Sequence, residues 1–385
     1  MINLPFPVGY HDFHKKQVFN YQMNRWYSFG YIRYEDLLNI GARIHSFSDW
    51  RREMKNLAER AAAEGRFMHA AFFYRATEFY TFGERGEKET LYDKFIDCFY
   101  GALKDEKIYK INIPYKSGFL PAIKVPAETE KLGTILLHGG FDSFLEEWYL
   151  MMKYLSRKGY EVIGFEGPGQ GAALSKYGLV FDIEWEKPVQ AVLDYFKLDD
   201  VTIFGLSMGG WLCLRAAAFE QRIQRVIANG HAIDYLKCLP PVASGIHKWI
   251  INNRSWYGWL NKAGMKKAKA ENTQAWITNQ LMYITDNSDK PMDATEVWLG
   301  MNAENMRPER ITQDVLMLSG KNDHFVPVKR HKKQIKALVN ARSVSDRVFT
   351  KKDHAQNHCQ VGNIGLMLDT VVEWLEDFPI KSRSF

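Results

Sequence analysis

The chain has 385 residues, of which 46% are hydrophobic and 25% are charged, and this is the composition of an ordinary globular protein. Its net charge of +6 is mildly basic, and the richest basic clusters, at 266–269 and 329–333, lie in predicted helices without interleaved aromatic residues. Such clusters are typical of solvated helix faces, so we expect no nucleic-acid partner.

The distribution of apolar residues and cysteines indicates in which cellular compartment we expect the protein. No apolar run reaches the roughly 18 residues that a membrane span needs, and residues 1–7 lack the basic start and long apolar core of a secretory signal. The four cysteines, at positions 98, 213, 238 and 359, form no C-x-x-C pair. We therefore expect no membrane partner, reduced thiols and a cytoplasmic location.

Residues 1–105 are predicted to form a helical N-terminal domain. Apolar residues recur there at three- and four-residue spacing, which indicates amphipathic helices. The predicted helices cover 34–44, 48–64, 66–82 and 88–103. Nearer the start, His11 and His14 form an H-x-x-H pair, but without a third ligand we expect an exposed polar turn rather than a metal site.

From residue 106 the pattern changes to alternating strands and helices. Two runs, at 109–113 and 119–123, flank a Lys-Ser-Gly turn and predict a hairpin. Strands then begin near residues 133, 161, 201, 225, 314 and 344, with helical patterns between most of them. This order predicts an α/β fold with a mostly parallel sheet and helices on both faces, formed by 106–230 and 314–385.

A glycine turn follows the first strand of this series, where the sequence reads HGGFD at 138–142. Alone, it would be interpreted as a simple strand-ending turn. Beside a serine nucleophile, one backbone N–H of such a turn and the N–H of the residue after the serine form an oxyanion hole. We expect those donors to be Gly140 and Met208, with Phe141 as the alternative to Gly140.

A serine lies between two glycines at the end of a predicted buried strand. The sequence reads GLSMG at 205–209, after the strand pattern VTIF and before an apolar helix. In such an elbow the glycines allow a sharp turn that exposes the serine Oγ at the helix N-terminus. Ser207 is therefore a candidate nucleophile, and the free N–H groups at this terminus are suited to stabilising an oxyanion.

Two later strand ends supply an acid and a base. Asp323 comes just after a buried strand pattern, where a carboxylate can hold an imidazole in one tautomer. The polar loop at 353–360 carries two histidines, and we favour His358 as the base, with His354 as the alternative. The alternative acid is Asp234, after the strand near residue 225, which is the sixth strand when the two hairpin strands are counted. The order Ser, Asp, His along the chain is that of the α/β-hydrolases.

From about residue 109 to the C-terminus the chain resembles an α/β-hydrolase. The motifs that carry the resemblance are HGG, FEGPGQG, GLSMGG and HCQ, at 138–140, 165–171, 205–210 and 358–360. Together they are similar to the branch of bacterial dihydroxypseudooxynicotine hydrolase and fungal polyketide hydrolases, which overlaps with prolyl-oligopeptidase-type hydrolases and carries a helical region before the core. One departure is Glu166, where many relatives have Asp, at a position outside the triad.

The resemblance implies that residues 231–313 form a helical cap inserted after the sixth strand. The tryptophans of this stretch are Trp249, Trp256, Trp259, Trp276 and Trp298. Aromatic side chains in a cap are suited to lining a pocket for a bulky, partly apolar substrate. Trp249, Trp256 and Trp259 are the candidates for substrate contact, although we expect at least half of the five tryptophans to serve only in packing.

The resemblance also implies a serine hydrolase that acts on an ester, amide or acyl ketone through an acyl-enzyme, without metal or organic cofactor. The expected triad is Ser207, His358 and Asp323. We expect Phe141 and Asp142, in the glycine turn, to contact a small-molecule or short-peptide substrate. The alternatives are an acylaminoacyl or dipeptidyl-type peptidase and a catalytically silent binding scaffold. A homodimer is left open as the assembly.

Overall fold

The computed structural model describes residues 6–83 and 85–378. Its helices are α1 Gln17–Ser28, α2 Tyr34–Gly41, α3 Phe47–Ala63, α4 Phe67–Phe79, α5 Arg85–Ala102, α6 Tyr149–Arg157, α7 Gly171–Ser175, α8 Glu186–Phe196, α9 Gly209–Phe219, α10 Pro241–Asn252, α11 Tyr257–Ala268, α12 Thr273–Ile284, α13 Pro291–Leu299, α14 Ala303–Met306, α15 His331–Ala337 and α16 Ile364–Asp377. Its strands are β1 Tyr109–Tyr115, β2 Gly118–Val125, β3 Gly133–His138, β4 Tyr160–Phe165, β5 Val201–Leu206, β6 Ile223–Asn229, β7 Asp314–Gly320 and β8 Ser343–Phe349.

The chain divides into two compact units. The first contains Met1–Lys107, Asn253–Thr295 and Val361–Ile364, and the second contains Ile108–Asn252, Glu296–Gln360 and Gly365–Phe385. None of the helices described above is both long enough and apolar enough to span a bilayer.

The first unit is helical, and for its N-terminal part the spacing of apolar residues predicts this. The N-terminus of α3 is closed by a capping box, in which the Ser46 hydroxyl accepts from the Asp49 N–H at 3.0 Å. Behind this cap, the Trp50 indole is fully buried, stacks on Phe19 and donates to the Ala76 carbonyl oxygen at 2.7 Å. Buried aromatic contacts of this kind hold α1, α3 and α4 together.

The second unit is built on an eight-stranded sheet in the order β1-β2-β4-β3-β5-β6-β7-β8. The predicted hairpin forms the antiparallel pair of β1 and β2, and β2 also runs antiparallel to β4. Every other pairing in the sheet is parallel. The prediction of a mostly parallel sheet with helices on both faces is confirmed.

The register of the parallel strands brings several loops to one edge of the sheet. His138 at the end of β3 pairs with Gly205 of β5, and Leu206 pairs with Asn229 at the end of β6. On the other side, Gly320 at the end of β7 pairs with Phe349 of β8. The segments that follow these strands therefore meet at the carboxyl edge, which is where open α/β sheets place their sites.

The predicted cap, 231–313, contains helices and short helical turns and no strand. Residues 231–252 and 296–313 belong to the second compact unit, whereas 253–295 belong to the first. The three-part division into helical domain, core and cap stays a prediction.

Candidate active site

Ser207 lies on a sharp turn between β5 and α9. Its backbone has a φ of +60°, in the left-handed region that is costly for a residue with a Cβ. A Cβ on Gly205 would lie 2.0 Å from the Gly209 carbonyl oxygen, and one on Gly209 would lie 2.5 Å from the Gly139 carbonyl oxygen. Both flanking positions therefore require glycine, and the turn is held by a 2.8 Å hydrogen bond from the Ser207 N–H to the Asn229 carbonyl oxygen.

The structure joins Ser207, His358 and Asp323 by hydrogen bonds into one triad. The His358 Nε2 lies 2.8 Å from the Ser207 Oγ, and its Nδ1 lies 2.7 Å from an oxygen of the Asp323 carboxylate. The other carboxylate oxygen accepts from the N–H groups of Phe325 and Val326 at 2.8 and 2.9 Å. We assign the proton to Nδ1, because a carboxylate only accepts, which leaves Nε2 to accept from the serine hydroxyl.

Burial and charge act in opposite directions on His358. Its side chain is 6% exposed and that of Asp323 is 1% exposed, so both groups are largely removed from water. Burial lowers the pKa of His358, whereas the Asp323 carboxylate and, to a smaller extent, Cys359 raise it, and the pKa lies well above its ordinary value of 6.5. The charged form of His358, an imidazolium, is therefore stabilised by Asp323.

The pH dependence of hydrolysis is expected to follow this pKa. A general base must be neutral to accept a proton, so with His358 in that role kcat/KM should fall as the pH drops through its pKa, at a pH above 6.5. Asp323→Asn removes the largest contribution that raises this pKa, so the acidic limb should move to lower pH. The same change should lower kcat by about 10⁴-fold. Profiles of kcat/KM against pH on a p-nitrophenyl ester check both effects.

A second histidine–carboxylate pair provides the control for this measurement. The His331 Nε2 lies 2.8 Å from the Asp346 carboxylate, and neither residue belongs to the triad of Ser207. Asp346→Asn should leave the acidic limb in place. If Asp323→Asn also left the limb in place, the carboxylate would not set the pKa of the base.

The structure places the two alternative residues elsewhere. His354 is exposed, with a φ of +55°, and it is not part of the hydrogen-bonded triad of Ser207, His358 and Asp323. The Asp234 carboxylate accepts from the Lys237 N–H at 3.1 Å and pairs with the Lys237 ammonium at 3.0 Å. The geometry therefore favours His358 and Asp323, as the sequence analysis does.

The glycine turn after β3 lies against the residue that follows Ser207. A Cβ on Gly140 would lie 2.7 Å from the Met208 nitrogen, so a larger residue does not fit there. The Gly140 N–H donates to the Ser143 hydroxyl at 3.2 Å. The Gly140 N–H is therefore directed at Ser143, and we take the N–H of the alternative, Phe141, as the candidate oxyanion donor of the turn.

Two residues near the hydrogen-bonded Ser207, His358 and Asp323 have no role that the sequence predicts. The Gln170 amide, 5% exposed, donates to the carbonyl oxygens of Gly139 and Gly140 at 2.9 and 3.1 Å. Its only signal in the sequence is its place in the FEGPGQG motif. The Phe325 ring lies edge-on to His358, with 4.9 Å between centroids, and is 41% exposed. No periodic pattern marks it, since it lies in a loop.

The residues predicted to contact substrate have different environments. Phe141 and Asp142 are half-buried in the glycine turn. The three tryptophans at 249, 256 and 259 are 52%, 50% and 65% exposed. In contrast, Trp276 is buried, stacks on Phe79 and donates to its carbonyl oxygen at 2.8 Å. A packing role therefore accounts for Trp276, and substrate contact by the other three stays a prediction.

Potential metal ligands are scattered rather than clustered. Within residues 6–83 and 85–378, no three His, Cys, Asp or Glu side chains are grouped so that they could hold an ion. In the H-x-x-H pair, the His14 ring bonds to the Ile44 carbonyl oxygen at 2.7 Å and accepts from the Lys16 N–H at 2.8 Å.

Comparisons with known proteins agree with this architecture. A family model described as the alpha/beta hydrolase fold matches residues 135–263. Hydrolase LUC6 of Fusarium sp. is 31% identical over 230 residues, which are 54% of this chain and 53% of that protein. The 20-hydroxy-prefusarin hydrolase FUS2 of Gibberella moniliformis is 31% identical over 249 residues, 56% of each protein. The chain thus spans about half the length of these curated relatives.

A solved structure extends the likeness to nearly the whole chain. The crystal structure of 2,6-dihydroxy-pseudo-oxynicotine hydrolase superposes with a TM-score of 0.65 and 19% identity, covering 93% of this chain and 96% of that one. At this identity the likeness shows the fold alone. The predicted resemblance is confirmed: the chain has the α/β-hydrolase fold, and fungal hydrolases are among its sequence relatives.

Proposed function

We propose that the protein is a serine hydrolase with Ser207 as nucleophile, His358 as general base and acid, and Asp323 as the residue that orients His358. The observation that carries the proposal is the continuous chain from Oγ to Nε2, at 2.8 Å, and from Nδ1 to carboxylate, at 2.7 Å. The strained turn at Ser207 supports it further, because a left-handed serine is retained at a cost that function explains.

The reaction proceeds in two steps through an acyl-enzyme. The Ser207 Oγ attacks the substrate carbonyl carbon while its proton moves to the His358 Nε2, and the carbonyl oxygen becomes an oxyanion. The N–H groups of Met208 and Phe141 hold this oxyanion, each contributing about 3 kcal/mol to lowering the barrier. His358 then gives its proton to the leaving group, which departs.

Water completes the second step. His358 takes a proton from a water molecule as the water oxygen attacks the acyl carbon, and the new oxyanion occupies the same position. Collapse of this intermediate breaks the bond to the Ser207 Oγ, which regains its proton from His358. The products are a carboxylic acid and an alcohol, amine or ketone, depending on the bond that was cleaved.

The substrate class is a small organic molecule with an ester, amide or acyl ketone. The support for a small molecule is that two of the similar proteins are named as hydrolases of individual compounds, 20-hydroxy-prefusarin and 2,6-dihydroxy-pseudo-oxynicotine. The contacts of the triad suit any activated carbonyl, so the bond that is cleaved depends on the pocket.

A substrate panel tests the proposed function. Purified protein is assayed with p-nitrophenyl esters of increasing acyl length, aminoacyl anilides and aryl acyl ketones, with Ser207→Ala as the baseline. Turnover of esters or acyl ketones above this baseline supports a small-molecule hydrolase. Turnover of anilides alone would favour the peptidase, and no turnover together with no covalent labelling of Ser207 would favour the silent scaffold.

Phe325 is expected to influence which substrate is preferred. Its ring lies 4.9 Å from the His358 ring and is 41% exposed, so it offers an apolar surface beside the base. Phe325→Ala should change the ratio of kcat/KM between bulky and small esters by about tenfold, because one apolar contact contributes roughly 1 to 3 kcal/mol of discrimination. The ratio is measured on the ester series.

Tyr195, in α8, provides the matched control, since it is an aromatic residue with 49% exposure and no proposed role. Tyr195→Ala should leave the ratio unchanged. An unchanged ratio in Phe325→Ala would remove Phe325 from the substrate contacts and direct attention to the exposed tryptophans.

A further inference from the structure

The side chain of Gln170 makes three hydrogen bonds within the loops at the carboxyl edge of the sheet. Its Oε1 accepts from the Gly167 N–H at 3.0 Å, and its Nε2 donates to the carbonyl oxygens of Gly139 and Gly140 at 2.9 and 3.1 Å. Only this orientation of the amide is consistent with its partners, since a flipped amide would place its oxygen against two carbonyl oxygens. With 5% exposure, water competes little for these bonds.

These bonds determine where two backbone N–H groups point. In a trans peptide the C=O and the following N–H point in opposite directions. Because the Gly139 carbonyl is held by Gln170, the Gly140 N–H points away from it and donates to Ser143 at 3.2 Å. Because the Gly140 carbonyl is held in the same way, the Phe141 N–H also points away from Gln170.

The same turn also packs against the nucleophile elbow. A Cβ on Gly140 would lie 2.7 Å from the Met208 nitrogen and 2.8 Å from the Gly209 nitrogen. The turn therefore contacts both the Gln170 amide and the start of α9. A rotation of the peptide between residues 140 and 141 would move the Phe141 N–H relative to the Met208 N–H without moving Ser207.

A second buried side chain joins the same two loops at another point. The Glu166 carboxyl accepts from the Leu145 N–H at 3.0 Å and from the Ala172 N–H at 2.7 Å. This tie fixes the loops to each other, but its partners are not the peptides that carry the oxyanion donors. Gln170 holds the carbonyls of both peptides, whereas Ser143 holds only the N–H of the first, so the peptide that carries the Phe141 N–H is the one that Gln170 orients.

We propose that Gln170 is the positioning residue of the oxyanion hole, which acts by holding the carbonyls of Gly139 and Gly140 so that the Phe141 N–H faces the developing oxyanion. The proposal rests on the serine hydrolase function and goes beyond it. Gln170 contacts neither substrate nor nucleophile in this role, so its loss should affect the transition state more than substrate binding.

The test is Gln170→Met, which keeps an uncharged side chain of similar volume and removes the donor and the acceptor. We expect kcat on a p-nitrophenyl ester to fall by about 10- to 100-fold, somewhat less than the 10²- to 10³-fold that removal of an oxyanion donor costs. KM should change less than threefold. Affinity for a trifluoromethyl ketone, which forms an oxyanion on attack by serine, should fall in parallel with kcat, whereas the pH limb of His358 should not move.

Gln313 offers a closely matched control. Its Oε1 accepts from the Thr312 N–H at 2.9 Å and its Nε2 donates to the Ala217 carbonyl oxygen at 2.9 Å. The residue is 4% exposed and directly precedes β7. Gln313→Met therefore breaks the same kinds of buried bonds and should leave kcat and ketone affinity unchanged. Equal losses in both variants would overturn the proposal, since a general loss of packing would then explain them.

Two further readouts separate the other outcomes. If Gln170→Met does not fold, Gln170→Glu keeps the acceptor for the Gly167 N–H and should still lose kcat, because a carboxylate oxygen repels the two carbonyls. Unchanged kcat and ketone affinity in a folded variant would overturn the proposal. If the wild-type protein itself neither hydrolysed the panel nor labelled at Ser207, the proposed function would fail, which is distinct from a failure of Gln170 alone.

Discussion

Ser207→Ala is expected to abolish covalent labelling by a fluorophosphonate probe and to lower kcat by roughly 10⁴- to 10⁶-fold, the scale of triad losses in serine hydrolases. The reason is chemical, since no other atom at the elbow is positioned to form the acyl-enzyme. The Ser207 Oγ has its base at 2.8 Å and lies on a left-handed turn at the N-terminus of α9. Labelling is measured by intact mass and by the modified peptide.

The second compact unit contains another hydrogen-bonded serine, histidine and aspartate, which serve as the control. The Ser319 Oγ lies 2.8 Å from the His331 Nδ1, and the His331 Nε2 lies 2.8 Å from the Asp346 carboxylate. This chain also runs serine, histidine, aspartate. Ser319, however, lies within the extended strand β7 and is 7% exposed, without a glycine elbow.

Ser319→Ala should therefore keep full labelling and most of the activity. The comparison shows whether a hydrogen-bonded serine is sufficient or whether the elbow and the adjacent N–H groups are required. Loss of labelling in Ser319→Ala with retention in Ser207→Ala would transfer the nucleophile to β7 and contradict the proposal.

The sheet and the residues at its carboxyl edge could be predicted because they depend on local patterns. Each strand is a short apolar run, and parallel strands separated by helices bring their carboxyl ends together whatever the details of packing. Ser207 and Asp323 each follow such a run directly, so their proximity in the structure follows from the topology.

Features that depend on packing could not be predicted in this way. The helix α1 was not predicted, because polar residues such as Asn20, Asn24 and Arg25 are buried in it and interrupt the apolar period. The bonds of Gln170 join segments that are about 30 residues apart and leave no spacing signal. The hydrogen bonds that join Ser319, His331 and Asp346 also leave no pattern in the sequence, since the three residues lie on separate elements.

The choice of base is another point that the sequence left open, because His354 and His358 lie in the same polar loop. We expect His358→Ala to lower kcat by roughly 10⁴- to 10⁶-fold, since its Nε2 is the atom next to the Ser207 Oγ. His354→Ala should change kcat less than threefold, because the His354 side chain is exposed and is not part of the triad. Both rates are measured on one ester, with thermal unfolding as the check on folding.

Loss of His358 also leaves the Asp323 carboxylate, 1% exposed, without its imidazole partner, and a buried unpaired charge is destabilising. His358→Gln is therefore the second variant, because its amide N–H can donate to the carboxylate while no group remains that accepts the serine proton at neutral pH. A folded His358→Gln protein should be as inactive as His358→Ala. If either His358 variant kept wild-type kcat while His354→Ala lost it, the base would be His354, and the loop would have to rearrange around residue 354 before the reaction begins.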